Sequence, residues 1–115
     1  MVMKFDPSGR GIIAVEREVV SVGIFDHGSN RNVDTAIIAL TSVSVTTDKG
    51  VVVKADAANA GIIYVGNSDV TAGDTEATDG FPLSAGDSVT IDVDNPNKIS
   101  VIASQVDQVV YWLAN

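Results

Sequence analysis

Hydrophobic and polar residues alternate along much of this chain, and the alternation predicts β-strands. In residues 88–93, Val89, Ile91 and Val93 alternate with polar side chains, and 42–46 repeats this pattern. A period of two places one set of side chains on each face of a strand. Short, mainly apolar runs predict further strands. These runs lie at 51–55, 62–65, 99–103 and 109–113.

Turn signals separate the predicted strands and indicate how they connect. A turn signal, Asp48-Lys49-Gly50, separates segment 34–47 from segment 51–55. We therefore predict that these two segments form a hairpin. Residues 66–80 are rich in Gly, Asp and Thr and predict the longest loop. About seven short strands at regular spacing are typical of a small β-sandwich or a jelly-roll-like barrel.

The first 32 residues differ from the rest and predict an N-terminal arm or hairpin. Residues 11–25, GIIAVEREVVSVGIF, have the composition of a strand. Residues 26–32, DHGSNRN, have the composition of a loop and are the predicted hinge. We therefore divide the chain into an arm, 1–32, and a β-sandwich module, 33–115.

The composition supports an all-β fold and excludes a helical bundle or a coiled coil. Val, Ile and Thr together make up 37 of the 115 residues, whereas leucine occurs three times. β-Branched side chains lose rotamer freedom in helices and pack well on pleated strands.

The net charge of −8 comes entirely from residues 33–115, which hold 11 acidic and three basic side chains. Residues 1–32 carry four of each sign, so this end approaches a partner without repulsion. The acidic balance and the six aromatic residues argue against nucleic-acid binding. There is no apolar run long enough to span a membrane, no secretory h-region, and no cysteine. We therefore expect no nucleic-acid or membrane partner.

Candidate chemistry is sparse. His27 is the single histidine, and no nucleophile-elbow motif accompanies it. Acidic side chains cluster in the long loop, but their spacing does not match an EF-hand, and Asp is also a common turn residue. We therefore predict a protein that is not an enzyme and has no catalytic, cofactor or metal site, and leave calcium binding by the Asp-rich loops open. The clustered residues are Asp69, Asp74, Glu76 and Asp79.

Two segments resemble small virion proteins of tailed bacteriophages. They are GVVVKADAANAGIIYVGNSDVTAG at 50–73 and GFPLSAGDSVTIDVDNPNKISVIAS at 80–104. The resemblance extends over about 50–113 and implies a structural part of a phage particle without enzymatic activity. The positions that carry it, besides the strand 99–103, are Asn59, Gly61, Tyr64, Val65, Gly66, Gly80, Pro82, Leu83 and Gly86.

Within that resemblance we expect a capsid decoration (cement) protein, assembled in the host cytoplasm and located in the virion. The expected partner is the major capsid protein or another virion protein, reached through the arm, with a homotrimer as the favoured oligomer. Apolar residues and glycine make up 60 of the 115 positions, which suits a chain with several interfaces or a well-filled core.

Two alternatives stay open. One is a module associated with the tail, neck or fibre. The other is a carbohydrate-binding module that uses Trp112, Tyr111 or Tyr64 as a sugar platform. Tyr111 and Trp112 point to opposite faces if 109–113 is a strand, and we expect Trp112 to lie in the core or at a subunit interface.

Overall fold

A computed structural model describes residues 25–115, which form a β-sandwich of two antiparallel four-stranded sheets. The first sheet has the order β1-β8-β3-β6 and the second has the order β2-β7-β4-β5. The sheets do not close into a barrel, and the predicted all-β sandwich is confirmed. The strands are β1 Asp26–Val33, β2 Ile38–Ala39, β3 Val51–Ala55, β4 Ile63–Gly66, β5 Phe81–Leu83, β6 Ser88–Ile91, β7 Ser100–Ala103 and β8 Gln108–Ala114.

The core lies between the sheets and consists of alternate residues from each strand. In β3, Val51, Val53 and Ala55 are fully buried while Lys54 is exposed, as a period of two requires. Trp112, in β8, is the largest side chain of this core. The second sheet contributes Ile63, Val65, Leu83, Val101 and Ala103.

Several predicted strands are confirmed with shifts of one or two residues at their ends. The apolar runs at 51–55, 62–65, 99–103 and 109–113 correspond to β3, β4, β7 and β8. The alternating segment 88–93 contains β6, and Val89, Ile91 and Val93 pack together against the core. A short 3₁₀ helix, Pro96–Lys98, lies between β6 and β7, and its N-cap Asn95 accepts a hydrogen bond from the Asn97 amide.

The prediction of a loop at 26–32 is wrong, because this segment is almost all of β1. From Asp26 to Asn30 each residue pairs with a residue of β8, and Val33 pairs with Gln108 after an irregularity. Asp, Asn and Gly are poor strand formers in isolation, but pairing along a neighbouring strand overrides that preference. Residues 26–32, which the sequence analysis assigned to the arm, therefore belong to the first sheet of the sandwich.

The predicted hairpin of 34–47 with 51–55 is also wrong. Only Ile38 and Ala39 of the earlier segment form a strand, and they pair with β7 in the second sheet. The positions on either side of β3 are occupied by β6 and β8. Residues 44–47 instead contact the turn before the 3₁₀ helix, where the Thr47 amide donates to the Asp94 carbonyl at 2.9 Å.

The predicted arm falls mostly on residues 1–24, which lie outside the described residues, and the domain division stays a prediction. No helix within residues 25–115 is long and apolar enough to cross a membrane.

We predict that Gly28→Ala destabilises the sandwich by about 1–3 kcal/mol, because a methyl group forced into a packed core displaces its neighbours. A Cβ at Gly28 would lie 2.7 Å from Nε1 of Trp112, whose indole is buried and has little room to move. Urea denaturation measures the effect. The matched control is Ser29→Ala, at the next, outward-facing position; equal stability of the two variants would contradict the packing argument.

Candidate interaction surface

The outer face of the second sheet is covered by the chain itself. Residues 67–80, called the acidic loop here, fold back over β4 and β7, and Val70 packs there with Tyr64 and Ile102. Gly80 permits this approach, because a Cβ at that position would lie 2.5 Å from Cγ2 of Val70. The loop therefore provides a small second core over β4 and β7.

Hydrogen bonds within the acidic loop fix its shape. The Thr71 hydroxyl donates to Oδ1 of Asp79 at 2.6 Å, and the Glu76 amide donates to Oδ2 at 2.8 Å. The Thr71 amide donates to the Thr78 carbonyl, and the Gly80 amide donates to the Thr71 carbonyl. The bond from the Glu76 amide, followed by that from Thr71, lowers the pKa of Asp79, because each favours the carboxylate.

These contacts bear on the open question of calcium. Both carboxylate oxygens of Asp79 already accept hydrogen bonds from the loop. Across residues 25–115, no three His, Cys, Asp or Glu side chains are placed to hold a metal ion together. The carboxylate of Asp79 thus has a structural role in fixing the loop.

The outer face of the first sheet carries an apolar centre. The strand register aligns His27, Leu113, Val52 and Thr90 in one row across the sheet, and Ser29, Tyr111, Lys54 and Ser88 in the next. Leu113 is 38% exposed, and Val52 is half-buried. The residues that make up this surface, called the outer face below, are His27, Arg31, Val52, Lys54, Tyr111 and Leu113.

A cluster of polar groups holds Tyr111 in place on the outer face. The Arg31 guanidinium lies 5.8 Å from the centre of the Tyr111 ring, a cation–π distance. The Tyr111 hydroxyl donates to Oδ1 of Asp56 at 2.9 Å. The Ala58 amide, the Tyr111 hydroxyl and the nearby charges of Arg31 and Lys54 lower the pKa of Asp56. The ring is therefore oriented before any partner arrives.

The outer face is also shaped and charged differently from the rest of the protein. A shallow depression of about 340 Å³ lies over it, lined mainly by His27, Val52, Tyr111 and Leu113. Phe25, which is 61% exposed, lies at its border with its ring 6.5 Å from that of His27. Arg31 and Lys54 stand here, whereas the acidic loop contains four acidic residues and no basic one. An apolar centre with charged residues around it is the usual composition of a protein interface.

The structure separates the side chains that the sequence singled out. Trp112 is 4% exposed and belongs to the core, and Tyr64 is 9% exposed beneath the acidic loop. Tyr111 lies on the opposite face of β8 from Trp112, as predicted, and is the one of the three at the surface. Of the three aromatic residues considered for a sugar platform, Tyr111 alone is at the surface, and its ring already faces Arg31.

The sequence reasoning missed the outer face, because two of its six residues, His27 and Arg31, lie on the segment interpreted as a loop. This segment has a period of two, in which His27, Ser29 and Arg31 alternate with Gly28 and Asn30. None of these residues is a large apolar one, so the pattern did not indicate a strand. No protein-family model, curated protein or solved structure matches this chain. The surfaces of the described residues are therefore the basis for assigning a function.

We predict that Thr71→Val raises the pKa of Asp79 toward its ordinary value of 3.8, because the carboxylate loses its side-chain donor. Carbon NMR of the carboxyl group follows the titration. Since the pKa of Asp79 is lowered in the folded chain, its hydrogen bonds stabilise the loop above pH 3.8 and are lost as the pH falls through the lowered value.

The control is Thr71→Ser, which keeps the hydroxyl and should keep the pKa of Asp79 low. A titration midpoint that is the same in the Val and Ser variants would show that the Thr71 hydroxyl does not stabilise the carboxylate.

Proposed function

We propose that this protein is a structural component of a bacteriophage virion, a decoration (cement) protein on the outside of the capsid. The observation that carries the proposal is the outer face of the first sheet, which no residue of 25–115 covers and at the border of which the chain continues into residues 1–24. The resemblance of residues 50–113 to tailed-phage virion proteins supports it as well. The partner is the major capsid protein.

The mechanism is mechanical and needs no reaction. Contact with a capsid subunit removes Val52, Leu113 and Phe25 from water, at about 25 cal/mol per Å² of apolar surface. A standard interface takes about 800 Å² from each partner. A protein that binds only the expanded lattice stabilises that lattice by mass action.

The placement of charge favours the same orientation. With the outer face against the capsid, the acidic loop on the second sheet points away from the shell. The four acidic residues of that loop are then held outside the particle, away from packaged DNA and from the contact.

We predict that Leu113→Glu weakens binding to expanded capsids by about tenfold or more, because a carboxylate at the centre of an apolar contact is desolvated without a partner. Co-sedimentation with expanded capsids that lack the protein measures the affinity. The matched control is Val106→Glu, since Val106 is 58% exposed and lies in the turn before β8. Equal affinity of the two variants would remove the outer face as the docking surface.

We further predict that the free protein is a homotrimer, as the apolar composition and the resemblance suggest. Light scattering measures the mass, which should equal three copies of 11.9 kDa. The mass of a single copy at micromolar concentration would contradict the trimer, but would leave docking on the capsid to the co-sedimentation test.

A further inference from the structure

The two sides of the sandwich are closed to different extents. On the side of β1 and β2, residues 34–37 cross between the sheets, and the Ala103 amide donates to the Asp34 carbonyl at 2.8 Å. On the side of β5 and β6, no segment within residues 25–115 fills the gap between the sheets, which forms a groove of about 420 Å³. Its apolar lining comes from Val65, Phe81, Val89, Ile91, Val93 and Ile99.

The groove exposes side chains that belong to the core. Val89, Ile91 and Val93 pack against the core on one side and are half-exposed on the other, and Phe81 is 58% exposed. The groove is open to water, which meets mainly apolar side chains there. An apolar segment in the groove removes this surface from water.

The two strand edges beside the groove differ in their capacity to accept another strand. In β5, Pro82 has no amide proton to donate, so this edge is blocked at its centre. In β6, none of the four residues, Ser88–Ile91, is proline or charged, and no strand among the described residues pairs with its outer edge. An unprotected edge of this kind is a template for strand addition. The occupant of the groove therefore pairs with β6.

A second copy of β6 is a poor occupant. Antiparallel pairing of two β6 strands about a two-fold axis between Val89 and Thr90 sets Asp87 of each copy opposite Asp92 of the other. Like charges directly opposite each other destabilise a strand pair. The groove accordingly calls for a different, uncharged segment.

The start of the described chain lies within reach of the groove. The register places Asp26, Ala114, Val51 and Ile91 in one row, so β1 begins at the end of the sheet where β6 ends. Three strand spacings separate β1 from β6, about 14 Å. Residues 16–24 span about 30 Å when extended, which is more than enough to cross the sheet.

The residues before this linker have the required chemistry. Ile12, Ile13, Ala14 and Val15 form an uncharged apolar run of four, the length of β6, and three of them are β-branched. The charged residues Glu16, Arg17 and Glu18 follow and stay in water when the run is docked.

We propose that residues 12–15 of the same chain dock in the groove along the edge of β6 and complete the sandwich. The proposal does not depend on the capsid function. In this proposal, residues 12–15 become part of the sandwich, while the outer face and residues 1–10 remain available to contact the capsid.

The first test measures how well the groove is covered in the full-length chain. The chain has no cysteine, so Ile91→Cys places a single thiol in the groove. Labelling of that thiol with a maleimide should become about tenfold faster or more when Ile12 and Ile13 are both replaced by Asp, because the segment then leaves the groove.

The matched control replaces Val19 and Val20 by Asp, two apolar residues in the proposed linker, and should leave the rate within about twofold. The near-ultraviolet signal of Trp112 verifies that each variant is folded. Labelling that is equally fast in the starting protein and in both variants would overturn the proposal.

The second test identifies the source of the segment. A cysteine introduced at Ile12, Ile13, Ala14 or Val15 in turn, each paired with Val89→Cys, is oxidised, and the products are separated by mass under denaturing conditions. A disulfide within one chain in at least one pair supports the proposal. Disulfides that join two chains would assign the groove to a neighbouring copy, and no disulfide in any pair would exclude the segment; both results overturn it.

Discussion

Pairing of β8 with two neighbours is the interaction on which the rest of this structure depends. β8 lies between β1 and β3, and it contributes to both faces of the first sheet. Its inward residues Val110, Trp112 and Ala114 are buried in the core, while Tyr111 and Leu113 form the centre of the outer face. Core packing and the candidate interface are thus two faces of one strand, so a shift of register by one residue would destroy both.

Sequence reasoning succeeded where a strand carries its own pattern of apolar and polar residues. Strands whose own residues alternate or form apolar runs, such as β3, β6 and β8, carry enough local information to be predicted. The opposite faces of Tyr111 and Trp112 followed from that periodicity alone. The predicted strands β3, β4, β7 and β8 supply most of the buried core, and β3 and β8 supply four of the six outer-face residues.

The remaining elements are defined by neighbours that are distant in sequence. β1 contains Asp26, Gly28 and Asn30, and its strand form depends on β8, about 80 residues later in the chain. The segment 42–46 alternates like a strand, but β6 and β8 occupy both sides of β3, so it has no place there. Short-range patterns do not show which distant segments compete for a place beside a strand. The outer face and the groove depend on that order of strands, so the sequence alone could not locate them.

Uneven covering of the sandwich connects the fold to the proposed role. The acidic loop covers β4 and β7, residues 34–37 close one side, and the rest of the described chain leaves the outer face and the groove open. In our account, the outer face binds the capsid and the groove receives a segment of the same chain. Cryo-electron microscopy of the intact virion tests the central claim most directly. We predict density for the sandwich over the head shell, with the first sheet facing the capsid subunits. Density confined to the tail, neck or fibres, or a head without the protein, would contradict the account.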